Sequence, residues 1–319
     1  MGSGMTGTSG TEKAEDRCGK GTKVTKAHSG RSLLQVMVGA LVVLTLVVVG
    51  VVAAHMSGFH RGPDTNAGRQ GSAVPVGNEA RVALQAVPVK PSKADAQGGI
   101  VVGQQGVGKL RGTVPTIDIY MDFLCPPCGN LHRTLDTSLF SMVKAGQINL
   151  GIHFMDFLDR VRSDEYSTRA ASAATTVAQE DPDHFLEVVA SFYQSDFQPE
   201  EKRDGEVSDS RLAERMVSLG VPQTVARRAA GGEYKEWVRK VNAYTLTRSE
   251  LRNPDGDNKG RMTTPTVTVN GHFLRISHIK PGPDAARTAL CRAIGLDPGQ
   301  VGKADELPSI GGGGKPFDI

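Results

Sequence analysis

Residues 117–128 read IDIYMDFLCPPC, and this stretch decides the fold of the chain. In residues 116–123 apolar and polar side chains alternate, and a period of two predicts a β-strand. A helical pattern follows Cys128 directly. Two cysteines three positions apart on a first helical turn lie side by side, so Cys125 and Cys128 can cycle between dithiol and disulfide without straining the backbone. The positive end of a helix also favours a thiolate, the attacking species in disulfide exchange.

The composition excludes several classes of function. A net charge of +3 over 319 residues is too small to indicate nucleic-acid binding. Of the four cysteines only two are close in sequence, so a disulfide-stapled scaffold is not indicated. No second CxxC and no histidine pair at ligand spacing accompanies them, and the sequence therefore predicts no metal site. Cys291 is predicted to be a buried free thiol, and Cys18 lies far away in the N-terminal tail.

An apolar run over residues 33–54 predicts a membrane anchor. As a helix it would span roughly 33 Å, enough for the hydrocarbon core of a bilayer. The positively charged residues before it place the N-terminus in the cytoplasm and the rest of the chain outside; they are Lys20, Lys23, Lys26 and Arg31. A cleaved signal peptide is the alternative, because residues 51–54 are small, although the run is longer than such peptides usually have. In either case the CxxC faces an oxidising compartment.

The predicted organisation has five parts. A disordered cytoplasmic tail (1–31) and the transmembrane anchor (32–54) precede a flexible extracytoplasmic linker over 55–96, rich in Gly, Pro and Ala. The folded domain covers 97–297, with a helical insert at about 160–258, and residues 298–319 are expected to form a frayed tail. In the domain a strand, the CxxC helix and a second strand precede the helices, and a hairpin with an Asn270-Gly271 turn follows them. This order predicts an α/β fold with a mixed sheet.

This organisation resembles the DsbA-like thiol-disulfide oxidoreductases of the thioredoxin superfamily. The resemblance covers about residues 100–296 and depends on DFLCPPC (122–128), on MTTPTV (262–267) and on the helices between them. It implies a thioredoxin-like mixed sheet with an inserted helical domain. It further implies that Cys125 is the exposed nucleophile and Cys128 the buried resolving thiol. Thr264-Pro265 would form a cis peptide that faces the disulfide, with Thr264 pairing with an extended substrate. The alternative for Thr264-Pro265 is an ordinary turn at the start of a strand.

Two positions, Pro127 and Ile119, depart from the family pattern, and a third, Asp122, matches the pattern of a subgroup. DsbA proteins usually carry His where this chain has Pro127. Because Pro126 and Pro127 both lack an N–H, we expect a less stabilised Cys125 thiolate and a less oxidising disulfide. The buried carboxylate that many relatives have six residues before the first cysteine is replaced by Ile119. Asp122 matches an Asp-Phe/Tyr-x-Cys-Pro pattern of a bacterial subgroup; it either tunes or relays protons for the thiols, or holds the loop by hydrogen bonds.

The predicted function is that of a membrane-anchored, extracytoplasmic enzyme that forms disulfides in exported proteins. The resemblance implies cysteine-containing unfolded polypeptides as substrates and a quinone-linked membrane reoxidase, of the vitamin K epoxide reductase or DsbB kind, as partner. No metal or organic cofactor is expected beyond the Cys125–Cys128 disulfide. A reductase or isomerase on the same fold is the first alternative, since sequence does not determine redox direction. The second is a surface interaction module with a purely structural disulfide, although so short a loop would stabilise weakly.

Overall fold

The computed structural model of the protein describes residues 76–279 and 283–319. The predicted cytoplasmic tail, the predicted anchor (32–54) and the first part of the predicted linker lie outside these residues, as does Cys18. Within the described residues, no helix combines the length and the apolar composition that a membrane crossing needs.

Six strands form one mixed sheet in the order β2-β1-β4-β3-β5-β6. β3 and β4 run parallel, and the other neighbouring pairs are antiparallel. The strands are β1 (Gly99–Gly103), β2 (Gly106–Val107), β3 (Thr116–Asp122), β4 (Asn149–Met155), β5 (Thr266–Val269) and β6 (His272–Leu274). The prediction of a thioredoxin-like mixed sheet is confirmed, and only the short strand β2 was not foreseen.

The central strand β3 is covered on both faces. Ile117 and Ile119 are 1% exposed and pack under helix α2 (Pro126–Lys144) and helix α8 (Pro283–Ile294). On the opposite face, Tyr120 stacks on His153 of β4 and is 2% exposed. Because successive side chains of a strand point to opposite faces, the alternation in the sequence determines which residues meet which layer. β3 is therefore buried along most of its length, and Asp122 and the two cysteines lie together at its carboxyl end.

Glycine ends helix α2, and the predicted Asn270-Gly271 pair forms the turn of the hairpin. α2 stops at Lys144, and Gly146 follows with φ +69°, a left-handed conformation that glycine adopts without steric cost. In the β5–β6 hairpin both turn residues have positive φ, +50° at Asn270 and +78° at Gly271, as a two-residue hairpin turn requires. The Asn270 side chain also accepts a hydrogen bond from the backbone of Thr116 (2.9 Å), which joins the hairpin to the start of β3.

The helical insert between β4 and β5 is confirmed as a separate layer of helices. Its first helix, α3, is rich in alanine and almost wholly buried, and the later helices pack around it. Ser208 caps α5 by accepting a hydrogen bond from the backbone of Arg211 (3.2 Å). The helices of the insert are α3 (Tyr166–Glu180), α4 (Phe185–Phe192), α5 (Asp209–Ser218), α6 (Gln223–Ala230) and α7 (Lys235–Thr245).

The prediction of a flexible linker over 55–96 is wrong for its described part. Residues Val76–Gln85 form a helix, α1, which packs against α7 and buries Leu84. An isolated helix of this length is marginal in water, so its stability depends on that packing, which local composition does not reveal.

The expectation of a frayed tail over 298–319 is also wrong. The side-chain amide of Gln147 donates to the backbone oxygens of Gln300, Lys303 and Glu306, at 2.7–3.1 Å. Further on, the Phe317 backbone N–H donates to a backbone oxygen of α8 (2.9 Å). These contacts hold a segment that has no helical or strand periodicity, and for that reason the sequence pattern suggested disorder.

Candidate active site

The two thiols lie at the junction of β3 and α2. Cys125 is the N-cap of α2. Its backbone N–H donates to the backbone carbonyl oxygen of Asp122 (3.0 Å), and its own carbonyl oxygen accepts from the Gly129 N–H (3.1 Å). Both cysteines are free thiols. Cys125 is only 4% exposed, so it is more covered than the expected exposed nucleophile, while Cys128 is 0% exposed. Cys125 nevertheless lines a groove at the surface, and a reactant can reach it there.

The environment separates the two thiols in acidity. A hydrogen bond from the Cys128 thiol, with further donation from Thr264 and from the Cys128 backbone N–H, lowers the pKa of Cys125 to about 7 against the effect of burial. Burial, reinforced by the neighbouring sulfur of Cys125, raises the pKa of Cys128 well above its usual range. Near neutral pH Cys125 therefore supplies a thiolate while Cys128 retains its proton. Disulfide exchange needs this asymmetry, because only the thiolate attacks.

The segment before β5 faces the sulfur of Cys125. The Thr264-Pro265 peptide bond is cis, as the resemblance implied. The Thr264 backbone oxygen lies 3.2 Å from Cys125 Sγ, across 139 positions of sequence. Pairing between β5 and β3 begins only at Thr266, so Thr264 lies beyond the end of that ladder. The contact with the sulfur distinguishes this segment from an ordinary turn at the start of a strand.

The two prolines of the CxxC are exposed and open the helix. Pro126 and Pro127 occupy its first two positions, where a missing N–H costs little. The N–H of Cys128 is therefore the first donor of α2, and it is directed at the Cys125 sulfur. The structure thus retains one backbone donor to the thiolate, the N–H of Cys128.

Asp122 lies beneath the loop that carries the cysteines. Its carboxyl group is 0% exposed and accepts hydrogen bonds from the N–H groups of Leu124 (3.0 Å) and Leu158 (3.1 Å) and from the Ser167 hydroxyl. Burial raises the pKa of Asp122 to about 8, in spite of these three donors. The carboxyl group joins the end of β3 to the insert, and when it is ionised its charge raises the pKa of Cys128. The geometry accommodates both roles considered for Asp122, loop holding and tuning of the thiols.

Gln198, from the insert, was not foreseen as part of the site. Its side-chain N–H groups donate to the backbone oxygens of Phe123 (3.2 Å) and Cys125 (3.0 Å). Its side-chain oxygen accepts from Arg133 (3.2 Å) and comes so close to Gly129 that a Cβ there would lie 2.0 Å from it. Gln198 follows α4 in a loop with no chemical motif, so no local signal in the sequence could have identified it.

Two grooves meet at the CxxC. The insert-side groove, about 480 Å³, contains Cys125 and runs between the insert and the loop before the cis peptide; it is lined by Cys125, Pro126, Pro127, Phe157, Leu158, Arg160, Glu201, Leu246, Asn258 and Arg261–Thr264. The helix-side groove, about 560 Å³, lies beyond Pro127 and Pro265, between α2 and α8, and its lining includes Leu131, Phe273 and Ile276. Of the two grooves, the insert-side one reaches the Cys125 thiol, and the helix-side one lies next to it beyond Pro127.

Comparison with known proteins assigns the family. Residues 106–282, more than half of the chain, match the family model described as thioredoxin. The chain belongs to the thioredoxin family. The match includes the CxxC and the cis peptide, together with the whole helical insert between them.

Similar solved structures narrow the class within this family. The disulfide bond oxidoreductase DsbG of Mycobacterium tuberculosis is 26% identical, with a TM-score of 0.50, over 65% of this chain and 92% of that one. Oxidised DsbA of the same organism is 25% identical, with a TM-score of 0.50, over 65% of this chain and 98% of that one. The prediction of a DsbA-like thiol-disulfide oxidoreductase is confirmed as to family and class of enzyme.

A curated relative shares only one segment with this chain. The serine/threonine-protein kinase PknE of M. tuberculosis is 35% identical over 111 residues, which are 34% of this chain and 20% of the kinase. The chain thus spans about one fifth of the length of that relative. The kinase therefore contains one segment similar to part of this chain, and the similarity carries no information about kinase activity in this protein.

Proposed function

We propose that this thioredoxin-family protein is membrane-anchored, with its thiols outside the cytoplasm, and that it forms disulfides in exported proteins. The observation that carries the proposal is the unequal thiol pair, in which Cys125 has a pKa of about 7 and faces Thr264 beside the cis peptide bond. The apolar run at 33–54, with basic residues before it, supports the anchor and its orientation. An oxidising location would keep the pair supplied as a disulfide.

The proposed reaction transfers two electrons from substrate to enzyme. A substrate thiolate attacks Cys125 Sγ of the Cys125–Cys128 disulfide, and Cys128 leaves as a thiolate that takes up a proton. The second substrate thiol, after losing its proton, attacks the substrate sulfur of the mixed disulfide and releases Cys125 as a thiolate. The substrate gains one disulfide and the enzyme becomes a dithiol. Restoring the disulfide requires an oxidant, for which we propose a quinone-linked membrane protein of the DsbB or vitamin K epoxide reductase kind.

Oxidation of a reduced, unfolded protein by the full-length chain tests the activity. The oxidised enzyme should introduce one disulfide per enzyme molecule, and a Cys125→Ser variant should introduce none. A Cys128→Ser variant should accumulate mixed disulfides with exported cysteine-containing proteins. Failure of the wild-type chain to oxidise any dithiol would refute the proposal.

Labelling in intact cells tests the location separately. In a Cys291→Ala background, intact cells are first treated with a membrane-impermeant reductant that opens the Cys125–Cys128 disulfide; a membrane-impermeant maleimide should then modify Cys125 and leave Cys18 unmodified until the cells are opened. Modification of Cys18 without Cys125 in intact cells would overturn the proposed orientation.

A second candidate function is the reduction of disulfides in substrate proteins, and the moderate acidity of Cys125 supports it. A strongly oxidising disulfide requires a strongly stabilised thiolate, whereas the pKa of Cys125 is lowered only to about 7. Equilibration of the full-length protein with glutathione decides between the directions: a potential near roughly −120 mV fits an oxidase, and one near roughly −270 mV a reductase. The Pro127→His variant should be more oxidising than the wild type, and an equal or lower potential would contradict the role assigned to Pro127.

A further inference from the structure

The insert-side groove, which contains Cys125, is also lined by two arginines. Arg160 comes from the short helix Phe157–Val161 of the insert, and Arg261 from the loop before the cis peptide. Both are exposed and both line the groove that contains Cys125. A segment seated with its cysteine at Cys125 would therefore lie in a groove that presents both arginines.

Both guanidinium groups are held by uncharged partners. Arg160 lies over the Phe157 ring, 5.5 Å from its centroid. Arg261 donates to the backbone oxygen of Asp257 and to the side-chain oxygen of Asn258, each at 2.9 Å. Among the described residues, no carboxylate forms an ion pair with either arginine. These partners restrict the orientation of each guanidinium group while leaving its charge unneutralised.

The charge of the groove is therefore positive on balance. The acidic side chain in its lining is Glu201, against the two arginines. Other carboxylates near Glu201 in sequence are already engaged, since Glu200 and Glu206 both pair with Arg203. A guanidinium group with free N–H donors binds a carboxylate in two parallel hydrogen bonds, better than it binds any neutral side chain.

We propose that the insert-side groove binds extended segments whose reactive cysteine is flanked by Asp or Glu residues, through Arg160 and Arg261. The inference rests on the proposed function and adds a sequence preference to it. The apolar lining, which includes Phe157, Leu158 and Met262, accommodates the carbon chains of the flanking residues. In this proposal the arginines act in binding, and Cys125 and Cys128 carry out the exchange.

A set of matched peptides tests the preference. Each is an unstructured dithiol peptide with Glu, Gln or Lys on both sides of one cysteine, and the second-order rate constant with the oxidised full-length protein is measured by acid quench, alkylation and mass spectrometry. The Glu peptide should react about three- to ten-fold faster than the Gln peptide at low ionic strength, as two exposed ion pairs imply. The Lys peptide should be slowest, and 1 M salt should abolish most of the difference.

Charge-reversed variants locate the effect. Arg160→Glu and Arg261→Glu should each reduce the ratio of Glu to Gln rates, and the double variant should bring it to one or below. Arg227→Glu makes the same charge change at an exposed position on α6 outside the groove, and should keep the wild-type ratio. Because Arg261 also supports its loop, Arg160→Gln serves as a second variant that leaves that loop intact.

The outcomes separate this inference from the proposed function. Equal rates for all three peptides, or a preference that survives in the double variant, would overturn the inference while leaving disulfide exchange established. If no peptide reacts, the proposed function fails. Affinities of the three peptides with serine in place of cysteine, measured by fluorescence anisotropy, then still decide the charge preference, and equal affinities would reject it.

Discussion

Removing the Cys128 thiol should change the reactivity of Cys125 in a defined way. The hydrogen bond from Cys128 is the largest cause of the lowered pKa of Cys125, so Cys128→Ala should raise that pKa from about 7 toward an ordinary value of about 8.5. The Cys128→Ser variant keeps a hydroxyl donor at the same position, and its Cys125 should stay close to the wild-type pKa. The two variants together separate loss of a donor from loss of a sulfur.

The magnitude follows from the thiolate fraction and its nucleophilicity. At pH 7 the thiolate fraction of Cys125 would fall from about one half to about 3% in Cys128→Ala, roughly sixteen-fold. A thiolate of higher pKa is intrinsically more reactive, by about five-fold for a rise of 1.5 pKa units. The net result is about a three-fold slower reaction with iodoacetamide at pH 7 and about a five-fold faster one above pH 9.5. The curves of wild type and variant should therefore cross.

The assay is the pH dependence of alkylation between pH 4 and 10, on reduced full-length protein, with each cysteine followed by peptide mass spectrometry. Cys291→Ala is the matched control, since it removes a buried thiol on α8 and should leave the profile of Cys125 unchanged. A Cys125 pKa that stays near 7 in Cys128→Ala would refute the role of the thiol hydrogen bond. An equal rise in Cys128→Ser and Cys128→Ala would show that hydroxyl donation is no substitute.

Three further predictions concern the surroundings of the thiols and the C-terminus. Since burial raises the folded-state pKa of Asp122 to about 8, above its unfolded value of about 4, wild-type stability should fall as pH rises from 4 to 8, by at most about 5 kcal/mol. Urea unfolding of Asp122→Asn should lack this part of the slope, and parallel slopes would contradict the assigned pKa. Gln198→Ala, which deprives the oxygens of Phe123 and Cys125 of a donor, should lower stability by about 1–2 kcal/mol and shift the redox potential; an unchanged potential would remove Gln198 from the site. Gln147→Leu should cost about 2–3 kcal/mol and make residues beyond 298 sensitive to protease, and unchanged proteolysis would show that other contacts hold them.

Much of the redox core could be predicted because its signals are local. The period-two pattern before Cys125 predicted β3, since alternate side chains of a strand face opposite layers. The Asn270-Gly271 pair predicted the hairpin, because two residues with positive φ are what such a turn needs. The spacing of Cys125 and Cys128 predicted the dithiol, since three positions on a helix bring two side chains to one face.

The family resemblance added what local patterns lack. It implied that Thr264-Pro265 is cis and lies against the thiols, and the structure places the Thr264 oxygen 3.2 Å from Cys125 Sγ. No periodicity or turn rule relates positions 139 residues apart. The contact between the Thr264 segment and Cys125 was predicted only because the order of motifs along the chain resembles that of DsbA-like proteins.

Only the tertiary structure decided which other segments complete the site and stabilise the domain. Gln198 contacts the CxxC loop, and Arg160 and Arg261 line the groove, although none of them belongs to a recognisable pattern. The helix at Val76–Gln85 and the ordered residues after 298 were assigned to flexible segments for the same reason. Such contacts join side chains to backbone groups far away in sequence, and their free energy exists only once the chain has brought the two together. Local sequence patterns therefore determined the strand, the turn and the thiol pair, and tertiary folding determined which residues surround them.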